Sequence, residues 1–350
     1  FAEAACAGRV FLSRALKEEG GPANPSRWLV RLDALAKAMG MERELHDTPY
    51  TDWAGALDTP DSFDKIEPPL PKPPVHARVR SLYVTGVEQW VRDPYAHYVR
   101  RILNLAPLDP IDQDPSAREK GTFIHRALEL FVQHFPREVP PDAETILEAL
   151  GREAAAEQKI PPGVVALWWP RYRKIAAWFA AQERARRPLL SSILTELKGQ
   201  ASLPDLKFTL SAKADRIEIA RDGSVTILDY KTGAAPKQSE IEVGFSAQFP
   251  LESWIAKQRG FPHVNPAGYP NFMAIKLTGK GDGGEFVKYK DTPSLVEDAI
   301  AGLKRRIVRF DDPQTGYPSK VAVKFSRYPD DFDYIARAAE TALEAEEQSS

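Results

Sequence analysis

The chain reads as an α/β protein, a mixed sheet flanked by helices, and three observations predict it. Helical and strand-like segments alternate from about residue 80 onward. Two runs rich in β-branched residues, Phe208–Ile219 and Ser224–Lys231, alternate apolar and polar positions and are joined by a turn containing Asp222-Gly223, a hairpin signal. Long amphipathic stretches at 118–135 and 165–187 supply helices to cover a sheet. The 350 residues suit two domains or one large one. A content of 43% hydrophobic and 27% charged residues is that of an ordinary folded protein.

Taken in order, residues 1–58 are expected to be helices and short connections. Val10–Ala15 is a short apolar run, and Pro25-Ser26 is a cap signal that leads into an amphipathic helix ending near Ala38. Residues 59–79 carry Pro60, Pro68, Pro69, Pro71, Pro73 and Pro74, the composition of a semi-rigid linker. Helices are predicted at 84–101, 118–135, 142–158 and 165–187, then strands at 192–198, 206–219 and 224–231. A helix at 246–259, a strand at 270–277 and a helix at 293–309 follow. After residue 311 the chain turns polar, with an acidic helix expected at 330–346. The start at Phe1, without Met, reads as a piece of something longer. No run approaches the roughly 20 apolar residues that span a bilayer.

The chemistry concentrates in the hairpin. Asp229 and Lys231 are two apart and project from one face of their strand, and pairing brings Asp215 beside the strand end. Two carboxylates and an ammonium suit metal-assisted hydrolysis of a phosphodiester. Upstream, Gly121-Thr122-Phe123-Ile124-His125 opens an amphipathic helix in which His125 and Glu129 stand one turn apart. Taken singly each residue has a plainer reading: a histidine on a helix is more often structural, and Asp215 could pair with Arg216 at the surface.

The single cysteine, Cys6, excludes a disulfide framework or a multi-cysteine metal site and suits a reducing cytoplasm. A net charge of −2 gives no global case for nucleic acid. DNA contact would need local basic groups such as Arg100 and Arg101, or Arg171, Arg173 and Lys174, although such runs are usually solvated helix faces. No nucleotide-binding phosphate loop is present.

In order, Gly121 and His125, then Ala214-Asp215-Arg216-Ile217, then Asp229-Tyr230-Lys231-Thr232-Gly233, then Gln248 resemble the RecB-type branch of the PD-(D/E)XK (restriction-endonuclease-like) nucleases. Leu82–Trp90, Arg92–Tyr95 and Tyr98–Leu105 resemble the start of the nuclease domain in the AddB family, whose members pair with AddA in bacterial helicase–nucleases. The resemblance implies a nuclease domain over 80–350 and a helicase-like remnant over 1–58. It implies a DNA-cutting enzyme that uses Mg²⁺, with Mn²⁺ as the alternative, acting on the 5′-ended strand during double-strand break repair in the bacterial cytoplasm. His125, Asp215, Asp229 and the backbone carbonyl of Tyr230 would hold the metal, with Glu196 a candidate beside them. Lys231 would lie at the scissile phosphate, as base or as charge stabiliser, and Gln248 would position it.

Two departures stand out. Asp93 occupies the place where many relatives carry the first of four iron–sulfur cysteines, so no four-cysteine cluster is expected and the C-terminal segment must be held by packing. Glu252 stands where a tyrosine often follows the glutamine. The rival readings are a non-catalytic subunit that guides DNA or braces AddA, and a stand-alone RecB-like nuclease.

Overall fold

The computed structural model describes residues 3, 6–18, 21–41, 49–59, 67–108, 111, 115–319 and 331–338, which fall into two compact units, Phe1–Lys65 and Ile66–Ser350. In the first unit, β1 (Lys17–Glu18) and β2 (Gly21–Pro22) form a minimal antiparallel pair. Helix α1 (Arg27–Ala38) starts where Ser26 Oγ accepts from the Leu29 N–H at 3.3 Å, as its cap signal predicts. Helix α2 (Pro49–Leu57) follows. Among the described residues of α1 and α2, Ala36 alone is buried.

The second unit is a three-layer α/β/α sandwich. Its strands are β3 (Ser81–Tyr83), β4 (Leu190–Leu203), β5 (Phe208–Ala220), β6 (Val225–Lys231), β7 (Asn271–Lys276) and β8 (Glu285–Lys288). The sheet order is β3-β5-β6-β7-β8, with β4 along the other edge of β5. β3 and β5, and β6 and β7, run parallel, while the β4–β5, β5–β6 and β7–β8 pairs are antiparallel. The sheet is therefore mixed.

On one face lie α3 (Val84–Arg92), α8 (Gln238–Glu242), α9 (Gln248–Lys257) and α10 (Thr292–Asp311), around a core that includes Leu82, Leu210, Ile227, Leu251, Ile255 and Phe272. On the other lie α5 (Ala117–His134), α6 (Ala143–Glu157) and α7 (Pro162–Arg186), around Phe123, Leu128, Phe131, Tyr172, Phe179 and Leu228. Tyr172 and Phe179 are core, as their spacing suggested, while Trp168, Trp169 and Trp178 pack at its margin.

Several elements differ from expectation for local reasons. The predicted helix at 84–101 breaks at Asp93, which caps α4 (Pro94–Arg101) by accepting from the Ala96 N–H at 2.9 Å. β4 continues well past 198, because its second half pairs with the first half of β5. The three-residue β3 and four-residue β8 are too short to show a period. Of the acidic helix expected at 330–346, residues 331–337 form turns, Ala338 is helical, and the remainder lies outside the described residues.

Residues 67–79 pack against the C-terminal segment. Tyr317 N–H donates to Pro71 O at 2.9 Å. Arg78, 4% exposed, donates to the carbonyls of Pro73, Phe310, Asp312 and Pro313. The expectation that the C-terminal segment is held by packing is met in the same region. Tyr95 Oη donates to Ile335 O at 3.0 Å, Arg100 pairs with Asp331 at 2.6 Å, and Phe332 and Ala336 bury against Tyr95, Ala96 and Val99.

Candidate active site

The β5–β6 ladder ends at Arg216↔Leu228, so the next two opposed residues, Asp215 and Asp229, sit where the strands part. Asp215 Oδ2 accepts from the Tyr230 N–H at 3.0 Å, satisfying a backbone donor that the ladder no longer serves. Val225 and Ile227 face the core beneath α9, and Leu228 and Tyr230 face the core beneath α5. Asp229 and Lys231 therefore follow the α9 side, by strand alternation.

Alternation breaks in the neighbouring strands at this level. Ala214 and Ile217, three apart on β5, enter the same core; so do Leu194 and Leu197 on β4. Between the latter, Glu196 has φ 53°, a left-handed conformation uncommon for a side chain that is not glycine. The kink lets Asp215 meet His125 while the adjacent Arg216 also reaches the helical layer on that side. Arg216 is fully buried, 2.6 Å from Glu183 of α7 and 2.7 Å from Glu218. The surface pairing of Asp215 with Arg216 is thus replaced by a buried network, which Arg187 extends with a 2.6 Å contact to Glu183.

Lys231 Nζ lies 2.8 Å from Asp229 Oδ2 and donates to Gln248 Oε1 at 3.2 Å. The Gln248 amide nitrogen donates to Asp229 Oδ1 at 2.7 Å and to Glu252 Oε1 at 3.1 Å. Two carboxylates on the nitrogen side fix the amide so that its oxygen faces the ammonium. Glu88 of α3 accepts from the Gln248 N–H at 2.9 Å, which places a carboxylate at the start of α9. Sequence reading missed Glu88, and noted Glu252 only as a departure. Their signal is placement: Glu252 lies one turn beyond Gln248, and Glu88 sits in the segment leading into the domain.

His125 is carried by α5, whose start is fixed by a Ser116–Glu119 capping box. Gly121 lets this helix approach the end of β6, since an added Cβ would stand 3.2 Å from Thr232 Oγ1. His125 Nδ1 lies 3.3 Å from Asp215 Oδ2, so the ring faces the carboxylate rather than an apolar core. Burial lowers the His125 pKa. Burial raises that of Asp215 well above the usual range, and the Asp229 charge adds to it. Burial likewise raises Glu252 and Glu88, with Asp229 contributing at both. Burial opposes charge on Lys231, but Asp229 beside it, together with Asp215 and Glu88, outweighs this and holds the ammonium above its usual pKa.

The expected convergence of His125, Asp215 and Asp229 on one ion position is not preformed. Among the described residues no three His, Cys, Asp or Glu side chains are grouped to hold a metal. Lys231 and Gln248 instead occupy the Asp229 carboxylate. Even so, Glu252 Oε2 is buried without a hydrogen-bond partner, and Asp229 Oδ2 is held by its ion pair with Lys231. A hard carboxylate oxygen left unsatisfied in a buried, acidic cluster fits a hard divalent cation such as Mg²⁺.

Glu196 is engaged by Lys213. Arg100 pairs with Asp331, and Arg173 with Glu148 at 2.9 Å. Arg101 lies near His97, while Arg171 and Lys174 pack their backbones on Gly279 and Gly283. These basic residues are therefore spread over α4 and α7 and do not gather at the carboxylates. Of the other arginines at the start of the domain, Arg78 is buried and Arg80 pairs with Asp311 at 2.7 Å.

Residues 82–346 match the PD-(D/E)XK nuclease superfamily. The chain belongs to that superfamily. The match spans the sheet, the split between β5 and β6, and the carboxylate cluster. Two curated relatives are uncharacterized proteins of Rickettsia. That of Rickettsia bellii is 32% identical over 182 residues, 51% of this chain and 22% of that protein. That of Rickettsia felis is 30% identical over 214 residues, 59% of this chain and 25% of that protein. The chain thus matches about a quarter of the length of these relatives. An exonuclease candidate from Eubacterium rectale is similar in structure at 10% identity and a TM-score of 0.42, covering 72% of this chain and 90% of that one. That likeness is too distant to bear on function. Among the described residues, no helix is long and apolar enough to cross a membrane.

Proposed function

We propose that this chain is a metal-dependent DNA nuclease that hydrolyses phosphodiester bonds at the split between β5 and β6. The observation that carries the reading is the Asp229–Lys231–Gln248 cluster, set beside Asp215 and His125 in a nuclease-superfamily fold. Asp215, Asp229 and His125, with the Tyr230 carbonyl, are the ligands proposed for Mg²⁺, and Glu252 offers a further oxygen. When bound, the metal supplies Lewis-acid polarisation of the phosphoryl oxygen and a more acidic water.

The side chains divide the remaining work. Lys231, held as an ammonium, is placed to stabilise charge that develops on the phosphoryl oxygens. Gln248 sets the distance between Lys231 and Asp229 by bonding both. His125, kept neutral by burial, has a lone pair to offer. At the level of the whole protein, we place the chain in an AddB-type subunit that works with an AddA partner on 5′-ended strands in double-strand break repair. The Leu82–Leu105 segment and the ordered site motifs support that assignment.

The test is cleavage of labelled single- and double-stranded DNA with Mg²⁺ by Asp229→Ala and Lys231→Ala, with folding checked by circular dichroism. Each variant should lose about a hundredfold or more in rate. Folded variants that cut at the wild-type rate would overturn the assignment.

A further inference from the structure

A cavity of about 820 Å³ lies away from the carboxylate cluster, at the beginning of β4. It is lined by Arg137, Arg184, Arg187, Arg221, Ser191 and Ser192, against a single carboxylate, Glu138. In a chain of net charge −2, such a concentration of guanidinium groups is local. The residues converge from three elements: the turn after α5, the end of α7, and the β4 and β5 ends of the sheet.

Half of this positive charge is uncommitted. Arg137 and Arg221 are exposed and have no ion pair among the described residues. Arg187 is only 6% exposed; Glu183 holds its Nε and Phe135 O accepts from Nη1, yet Nη2 has no hydrogen-bond partner. Arg184 is partly neutralised as well, at 3.5 Å from Glu144, and donates to Pro141 O at 2.9 Å. The exposed guanidinium groups of Arg137 and Arg221, with Arg184 and the Ser192 hydroxyl beside them, make a receptor for phosphate oxygens.

The spacing to the candidate active site is set by two rigid elements. Along α5, His125 and the C-cap Phe135 are ten residues apart, about 15 Å at the helical rise. Along β4, Glu196 and Ser192 are four residues apart, about 13 Å at the strand rise. Either route corresponds to about four nucleotides of a stacked strand.

We propose that this arginine cleft binds the phosphodiester backbone of the strand being cut, about four nucleotides from the scissile phosphate. The proposal rests on the nuclease reading above and adds to it a second, sequence-independent contact. Such a contact fixes strand register without reading bases.

The experiment measures binding of labelled single strands of twelve and three nucleotides to the wild type and to Arg137→Gln/Arg221→Gln, in EDTA over a range of salt. Both substitutions are at exposed positions, so the fold should persist. The double variant should bind the longer strand about tenfold more weakly. Its slope of log affinity against log salt should be shallower by about 1.4, the loss of two phosphate contacts. The three-nucleotide strand should bind both proteins alike. Equal affinity and slope for the longer strand would overturn the cleft. Cleavage with Mg²⁺ separates the two ideas. If wild type cuts and both proteins bind alike, the cleft fails and the nuclease reading stands. If binding depends on the arginines but wild type does not cut, the cleft stands and the nuclease reading fails. If wild type neither binds nor cuts, both fail.

Discussion

Lowering the pH tests how the C-terminal segment is held without cysteines. His97 is 1% exposed and stacks on Trp90 at a 5.0 Å ring separation, with Tyr317 nearly parallel to it at 6.3 Å. Burial lowers its pKa from 6.5 to about 3, assisted by the charges of Arg101 and Arg306. The folded imidazole is therefore neutral at pH values where an unfolded one is protonated. Its contribution is complete above pH 6.5 and is lost progressively as the pH falls towards 3. At pH 4.5 the unfolded state has gained about two pH units of proton binding, which removes about 3 kcal/mol of stability. That is a large share of the roughly 5–15 kcal/mol typical of a folded domain. Urea unfolding of wild type and His97→Phe at pH 7 and pH 4.5 isolates the effect, because every carboxylate titrates in both proteins. Wild type should lose about 3 kcal/mol more than the variant between the two pH values. If both lose the same amount, His97 takes up its proton inside the fold and the buried stack is not what excludes it.

Three further outcomes follow from the carboxylate cluster. Asp215→Asn should raise the melting temperature in EDTA, because burial and Asp229 disfavour the charged form, and should abolish the rise that Mg²⁺ gives wild type. In wild type that rise should correspond to about 3 kcal/mol at a hundredfold excess over Kd; differential scanning fluorimetry checks both. Gln248→Leu should lower the cleavage rate by about 10- to 100-fold, the worth of one hydrogen bond to a charged group, with circular dichroism unchanged. Gly121→Val should cost about 1–3 kcal/mol by overpacking α5 against Thr232, and activity should fall further than stability because the same helix carries His125. Equal loss of activity and folded fraction would refute that coupling.

The fold was legible wherever a segment was long enough to show its period. Helices α5, α6, α7 and α10 lie close to their predicted limits, and the hairpin turn is as read, with Gly223 at φ 83° and Asp222 accepting from the Ser224 N–H. Elements defined by a distant partner escaped. β3 exists because its three residues pair with Thr209–Ser211, and nothing within Ser81–Tyr83 announces this. For the candidate site, Asp229, Lys231 and Gln248 were readable because one strand and one helix start carry them. Glu88 was not, since it lies 160 residues from the amide it caps. Nor was the fate of Arg216: its neighbour Asp215 suggested a surface pair, whereas the kink at Glu196 turns Arg216 into the buried layer.

The buried network around Arg216 also bears on how the carboxylate cluster is held. Asp215, Asp229, Glu252 and Glu88 crowd around one ammonium, and burial disfavours charge on three of them. Such a grouping opposes folding unless its surroundings are stiff. Stiffness is provided on both sides. Beneath α7, Arg216 ties β5 to Glu183 and donates to Tyr230 Oη at 3.3 Å, bracing the strand that carries Asp229. Beneath α9, the Gln248 amide is bonded to a carboxylate at each end of its nitrogen. The left-handed Glu196, the unsatisfied Glu252 oxygen and the like charges held together all border the split between β5 and β6, where a cation and a phosphate would relieve them.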